Sequence, residues 1–126
     1  MKTESMKAFD TLKALKNSGY VALISLVAED LSPNAEGENE FLLTYTLYNP
    51  VTKEFEEIET VINGEIQSVT TLYKSANYDE REIYDLFGIK FKNHPNLKRI
   101  FLDENFEGHP LRNDYKQGKT PSERAL

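Results

Sequence analysis

The 126-residue sequence contains no cysteine. That absence excludes a disulfide scaffold, a thiol nucleophile, and zinc or iron–sulfur clusters ligated by cysteines of this chain. It leaves the redox compartment open. Only two histidines are present, His94 and His109. No metal-binding histidine pair, EF-hand loop, dinucleotide-type glycine fingerprint or P-loop occurs. Long hydrophobic runs are also missing. The longest mostly apolar stretch is Tyr20 to Ala28, far short of the roughly 20 residues that span a bilayer. Met1 to Ser5 is not followed by an apolar targeting region, so the expectation is a chain that does not cross a membrane by itself. Basic charge is scarce too: the formal net charge is −6, which argues against general nucleic-acid or anionic-membrane binding.

What is present reads as one ordinary domain with a sizeable core. Hydrophobic residues make up 39% and charged ones 29%, a globular balance. The charge is unevenly placed. Residues 1–71 hold 12 acidic and five basic side chains, a balance of −7, whereas residues 72–126 hold nine and ten, a balance of +1. All four arginines (Arg81, Arg99, Arg112, Arg124) lie in the second part. Arginine is the cation favoured for desolvated, bidentate pairing.

Ser5 is a candidate N-cap for a first helix, with Met6, Phe9, Leu12 and Leu15 recurring every three residues and Gly19 as its stop. Tyr20 to Ala28 reads as a strand and Glu29 to Glu40 as a solvated, mobile acidic loop. Phe41 to Tyr48 and Glu54 to Ile62 read as a hairpin turning at Asn49-Pro50. Ser68 is expected to cap a short helix carrying Val69, Leu72, Tyr73 and Ala76. A second short helix is expected over Tyr78 to Phe87, capped by Asn77 or Asp79 and closed by Gly88 in the left-handed conformation. Lys98 to Leu102 is a candidate extended piece. The fold class is therefore α+β: an N-terminal helix, a small antiparallel sheet, then short helices and an irregular C-terminal tail. The domain is expected over residues 1–102 and an extended, partner-binding tail over residues 103–126.

Chemistry-bearing residues concentrate after Asn77. Glu80, Glu82, Asp85 and His94 are candidate metal ligands, yet Glu80 and Glu82 lie two apart on a helix and project to different sides. His94 with Glu80 or Glu82 could supply a general base for a stand-alone hydrolase-type enzyme, but no nucleophile motif accompanies them. Arg81 and Asp85 fall at i,i+4, which permits an intrahelical pair. Tyr78, Tyr84, Phe87 and Phe91 surround these charges. Charges among aromatics are partly desolvated, and then they need partners within the chain or across an interface.

The stretch Ala76-Asn77-Tyr78-Asp79-Glu80-Arg81-Glu82-Ile83-Tyr84-Asp85-Leu86-Phe87-Gly88-Ile89, with Phe91, His94-Pro95, Leu97 and Arg99-Ile100, resembles the hallmark of the 30-kDa subunit family of respiratory complex I. It departs at Tyr78, usually tryptophan in that family. Gly108-His109-Pro110-Leu111-Arg112-Asn113-Asp114-Tyr115 is similar to the family's closing motif, with Asn113 in place of lysine. The resemblance implies a non-catalytic, peripheral-arm subunit with no cofactor of its own, on the cytoplasmic face of the inner or cell membrane as part of a complex. It implies packing against the large 49-kDa-type subunit and neighbours that carry iron–sulfur clusters, and flavin or nickel–iron. Related subunits occur in energy-converting [NiFe] hydrogenases, and the short chain tilts the expectation modestly toward that branch. On this reading Glu80, Arg81, Glu82, Asp85, Phe87, Phe91, His94, Arg99 and Arg112 form the partner interface, while Gly88 and Pro95 set backbone turns.

Overall fold

A computed structural model describes residues 1–99 and 107–113. The extended piece expected over Lys98 to Leu102 falls largely outside the described residues, as does most of the tail, including Asp114, Tyr115 and Arg124. The elements are β1 (Lys2–Glu4), α1 (Ser5–Asn17), β2 (Ala22–Asp30), β3 (Phe41–Asn49), β4 (Glu54–Ile62), β5 (Glu65–Gln67), α2 (Ala76–Phe87) and β6 (Lys90–Lys92). Four strands form one sheet in the order β1-β4-β3-β2, and β5 pairs with β6. The α+β class is as expected. The main sheet is mixed rather than purely antiparallel, because β1 runs parallel to β4.

Strict alternation along β3 explains the sheet's two faces. Phe41, Leu43, Tyr45 and Leu47 are buried, while Leu42, Thr44, Thr46 and Tyr48 are half-buried on the other side. Ile58, Thr60 and Ile62 of β4 and Leu23 and Leu26 of β2 join the buried face. Ala8 and Leu12 of α1 and Ile83 and Phe87 of α2 complete that core. Phe41 meets Phe87 edge to face, with ring centroids 6.4 Å apart, a favoured aromatic geometry.

Several local expectations need correction. The first helix begins at Ser5, but Glu4 occupies its N-cap position and no side chain caps it. Met6 is 86% exposed rather than on the buried face. Steps of three residues drift about 60° each around a 3.6-residue helix, so the buried line follows Ala8 and Leu12, four apart. Gly19 does close the helix, at φ +113°, and a Cβ there would meet Asn49 Nδ2 at 2.7 Å. The acidic stretch begins later than expected, since β2 runs on to Asp30. Its loop is cross-bonded, with Leu31 N–H donating to the Glu40 carbonyl at 2.8 Å and Asn34 Oδ1 accepting from Glu36 and Glu38 N–H.

No helix forms over residues 68–75. Separate turns replace it, with Leu72 and Tyr73 N–H both donating to the Val69 carbonyl. Val69, Tyr73 and Ala76 are buried all the same. Apolar spacing thus picks out three buried residues, with Leu72 half-buried, while the Ser68 hydroxyl is drawn away to another partner. The second helix is longer by two residues, starts at Ala76 behind Ser75, and has neither Asn77 nor Asp79 as cap.

Candidate functional site

The motif residues gather around α2, whose N-terminal half lies along the outer edge of β2. Ser75 Oγ donates to the Leu23 carbonyl at 3.2 Å, and the Asp79 carboxylate accepts the Leu26 N–H. An open strand edge is a template for unwanted pairing, and here helix side chains occupy it.

Glu80 points inward and is fully buried. One carboxylate oxygen accepts the Ser68 hydroxyl at 2.6 Å, and the other accepts the Val69 N–H at 2.8 Å. Burial pushes its pKa up to about 7, against the pull of those two donors. His94 Nε2 lies 3.9 Å from the same carboxylate, and both side chains are enclosed. His94 Nδ1 accepts the Asn96 N–H at 2.9 Å, so it carries no proton. The proton therefore sits on Nε2 and is directed at the Asn77 carbonyl, 3.2 Å away. Burial holds the His94 pKa below its ordinary value. The Glu80–His94 contact is thus between a carboxyl group and a neutral ring. Both ring nitrogens are committed to backbone groups, which leaves neither one available to act as a general base.

Arg81 does not pair with Asp85. Its Nε donates to the Lys98 carbonyl at 3.1 Å and one terminal nitrogen to the Arg99 carbonyl at 3.4 Å. Asp85, fully buried, lies 3.5 Å from the Arg99 guanidinium. Arg99 also donates to the Gly108 carbonyl at 2.8 Å. Phe91 is buried in β6, Glu82 is half-buried and Pro95 is exposed in the turn after it.

The closing motif completes the helix end. A helix leaves its last four carbonyls without intrahelical donors, and here all four are served. Tyr84 O accepts the Gly88 N–H at 2.9 Å, and Leu86 O accepts the Leu111 N–H at 2.9 Å. Asp85 O lies 2.9 Å from His109 Nδ1, with an Arg99 terminal nitrogen 3.3 Å from the same ring atom, and Phe87 O accepts from Arg112 at 3.4 Å. Arg112 also lies 5.5 Å from the centre of the Phe41 ring, in cation–π range. Gly88 is left-handed, at φ +77°, and a Cβ there would meet the His109 ring at 2.8 Å. Asn113 fastens the segment to β2: its backbone N–H donates to Asp30 Oδ2 at 2.7 Å, and its side-chain amide donates to the Asp30 and Ser32 carbonyls.

Sequence reasoning singled out the charged residues but missed Ser68, His109, Asn113 and Asp30 as their fasteners. Small polar residues and backbone groups carry no periodic signal that would have found them. Among the described residues, no group of three or more His, Asp or Glu is placed to hold a metal ion, and no helix is long and apolar enough to cross a membrane.

These features define the class: an α+β module in which a distal segment closes the second helix and locks it to the sheet edge. The chain belongs to the respiratory-chain NADH dehydrogenase 30-kDa subunit family, whose model matches residues 1–121. It is 40% identical over 113 residues to an NADH-quinone oxidoreductase subunit of Geobacter sulfurreducens, covering 86% of this chain and 68% of that protein. NADH-quinone oxidoreductase subunit 5 of Thermus thermophilus is 56% identical over 57 residues, which are 45% of this chain and 28% of that protein. NADH-ubiquinone oxidoreductase subunit 9 of Reclinomonas americana is 37% identical over 106 residues, covering 82% and 50%. The chain thus spans between about a quarter and two thirds of the length of these relatives. Among solved structures, a trypsin-resistant fragment of Nqo5 superposes with a TM-score of 0.61 at 27% identity, over 76% of this chain and 80% of that one.

Proposed function

We propose that this chain is a non-catalytic subunit in the peripheral arm of a membrane-associated NADH-quinone oxidoreductase complex. It scaffolds the large 49-kDa-type subunit, while electrons and ion translocation pass through neighbours that carry the iron–sulfur clusters and flavin. The observation that carries this reading is how the family motif is used: its charged residues are spent on closing and fixing α2. Glu80, Asp85, Phe87, Phe91, His94 and Arg99 shape the docking surface from beneath, with Gly88 and Pro95 setting its turns. Arg81, Glu82 and Arg112 border it, and Tyr78 and Leu111, 51% and 53% exposed, stand out from it. The named relatives belong to NADH–quinone complexes, which favours that branch over the energy-converting hydrogenases.

The test is isolation of the tagged chain from its native membrane in mild detergent, with partner identification and assays for iron, flavin and nickel. Iron–sulfur and flavin subunits, with a 49-kDa-type subunit, are the expected company. Nickel without flavin would move the assignment to the hydrogenase branch. Recovery of the chain with no redox subunit would overturn the proposal.

A further inference from the structure

Among the described residues, α1 and α2 pack on one face of the sheet, and the opposite face has an unusual composition. Cross-strand register places Lys2, Glu59, Thr44 and Val27 in one row, and Glu4, Val61, Leu42 and Glu29 in the next. Two further rows hold Glu57 and Thr46, then Phe55 beside Tyr48. The last two rings meet at a tilt of 43°, with centroids 4.7 Å apart. Phe55 is 60% exposed, Val27 54% and Val61 47%. An open antiparallel face is ordinarily polar throughout, whereas contiguous exposed apolar groups mark an interaction surface. Between Leu31 and β1 the face is also hollowed into a groove of about 440 Å³, floored by Leu42 and Val61 and edged by Glu4, Glu59 and Lys2.

The charges select the occupant. Four glutamates occupy register positions on this face against one lysine. Among the described residues, Glu4 alone of the four makes a salt bridge, a 4.0 Å contact with Lys7. A second copy of this chain would set carboxylates against carboxylates. An anionic lipid surface would be repelled in the same way. We infer that this open face docks a basic, apolar-bearing element of a second neighbouring subunit, on the side of the sheet opposite α2. The inference rests on the complex-subunit reading and extends it, making the chain a two-sided spacer between partners. Val27, Leu42 and Val61 supply an apolar floor towards one end of the face and the Tyr48–Phe55 pair a second apolar spot at the other. Glu29, Glu57 and Glu59, placed among and between them, receive lysine or arginine side chains.

The test uses the full chain in its native membrane, with Phe55 replaced by the photo-crosslinking amino acid p-benzoylphenylalanine. The expected cross-link joins a redox-complex subunit at a peptide containing lysine or arginine. Its yield should fall as salt rises from about 0.1 M to about 1 M, over which the Debye length shrinks from about 10 Å to about 3 Å. In parallel, a Glu57→Lys/Glu59→Lys double variant should lower recovery of the complex about tenfold while the free chain keeps its thermal midpoint. If that variant fails to fold, the salt dependence of the cross-link decides. Redox subunits that still co-purify while Phe55 cross-links to lipid, to a second copy or to nothing would overturn the inference and leave the proposed function standing. So would undiminished recovery of the folded double variant. Absence of redox subunits from the unsubstituted preparation would overturn both.

Discussion

At the scale of single residues, Glu80 shows how burial and hydrogen bonding compete. Its folded pKa, about 7, lies above the value of about 4.3 for an unfolded glutamate. The folded chain therefore keeps a proton that the unfolded chain has released between about pH 4.3 and pH 7. The corresponding stability is full below that window and is lost as pH rises through it. His94, held below its ordinary value, acts in the opposite sense, so only a comparison isolates Glu80. Urea unfolding from pH 4 to 8 is expected to show that Glu80→Gln removes the falling slope contributed by this carboxyl. An unchanged slope would refute the assignment. Glu80→Ala should cost about 2–4 kcal/mol, because the Val69 N–H is left buried without its acceptor, the Ser68 hydroxyl keeps only Thr70 as a partner and a cavity opens.

Gly88 offers a second residue-level test, since conformation and space act together. Left-handed backbone costs a side-chain-bearing residue about 1 kcal/mol, and the added Cβ would press on the His109 ring. Gly88→Ala should therefore destabilise by about 1–3 kcal/mol in thermal unfolding. In a His109→Ala background the penalty should shrink to the conformational part alone, and that non-additivity is the signature of the contact. Equal penalties in both backgrounds would show that His109 does not confine this position.

At the scale of elements, α2 is closed by a segment more than 20 residues away in sequence, and Asn113 pins that segment to β2. Asn113→Ala removes two side-chain hydrogen bonds and is expected to cost about 1–2 kcal/mol. Hydrogen exchange at the last turn of α2 should quicken relative to its first turn. Uniform change along the helix would mean that the segment does not act as its cap. This dependence also explains what was legible in the sequence. The nine-residue strands β3 and β4 announce themselves through alternation, and α2 through its helical period and the glycine that ends it. The three-residue strands β1, β5 and β6 are too short to show any period. The turns over residues 68–75 carry helix-like apolar spacing, yet the Ser68 hydroxyl bonds Glu80 instead of opening a helix. Within the site, the charged residues were visible because charge among aromatics demands a partner. Which partner could not be read, because Arg81 and Arg112 use backbone carbonyls, and any residue supplies those.

At the scale of the whole molecule, the three described arginines, Arg81, Arg99 and Arg112, are engaged largely within the chain. Arg81 holds the carbonyls of residues 98 and 99, Arg99 meets Asp85 and the Gly108 carbonyl, and Arg112 meets the end of α2 and the Phe41 ring. Among the described residues, the charge turned outward is therefore weighted toward the acidic half, and the whole sequence carries a net charge of −6. Arg81 holds the segment at residues 98 and 99 and also borders the proposed docking surface, which makes it the residue to separate the two roles. Charge-assisted bonds to carbonyls contribute about 1.5–3 kcal/mol each when fully formed, and Arg81 is half-buried. Arg81→Ala should therefore lower the stability of the free chain by about 1–2 kcal/mol. If Arg81 served only to hold residues 98 and 99, recovery of the assembled complex would fall no further than the loss of folded chain. The proposed docking role predicts a second penalty, and recovery at low temperature, where the variant stays folded, should then drop at least fivefold. Thermal unfolding of the free chain, measured beside quantitative recovery of the complex, separates the two terms. Matching losses would confine Arg81 to the interior of its own subunit.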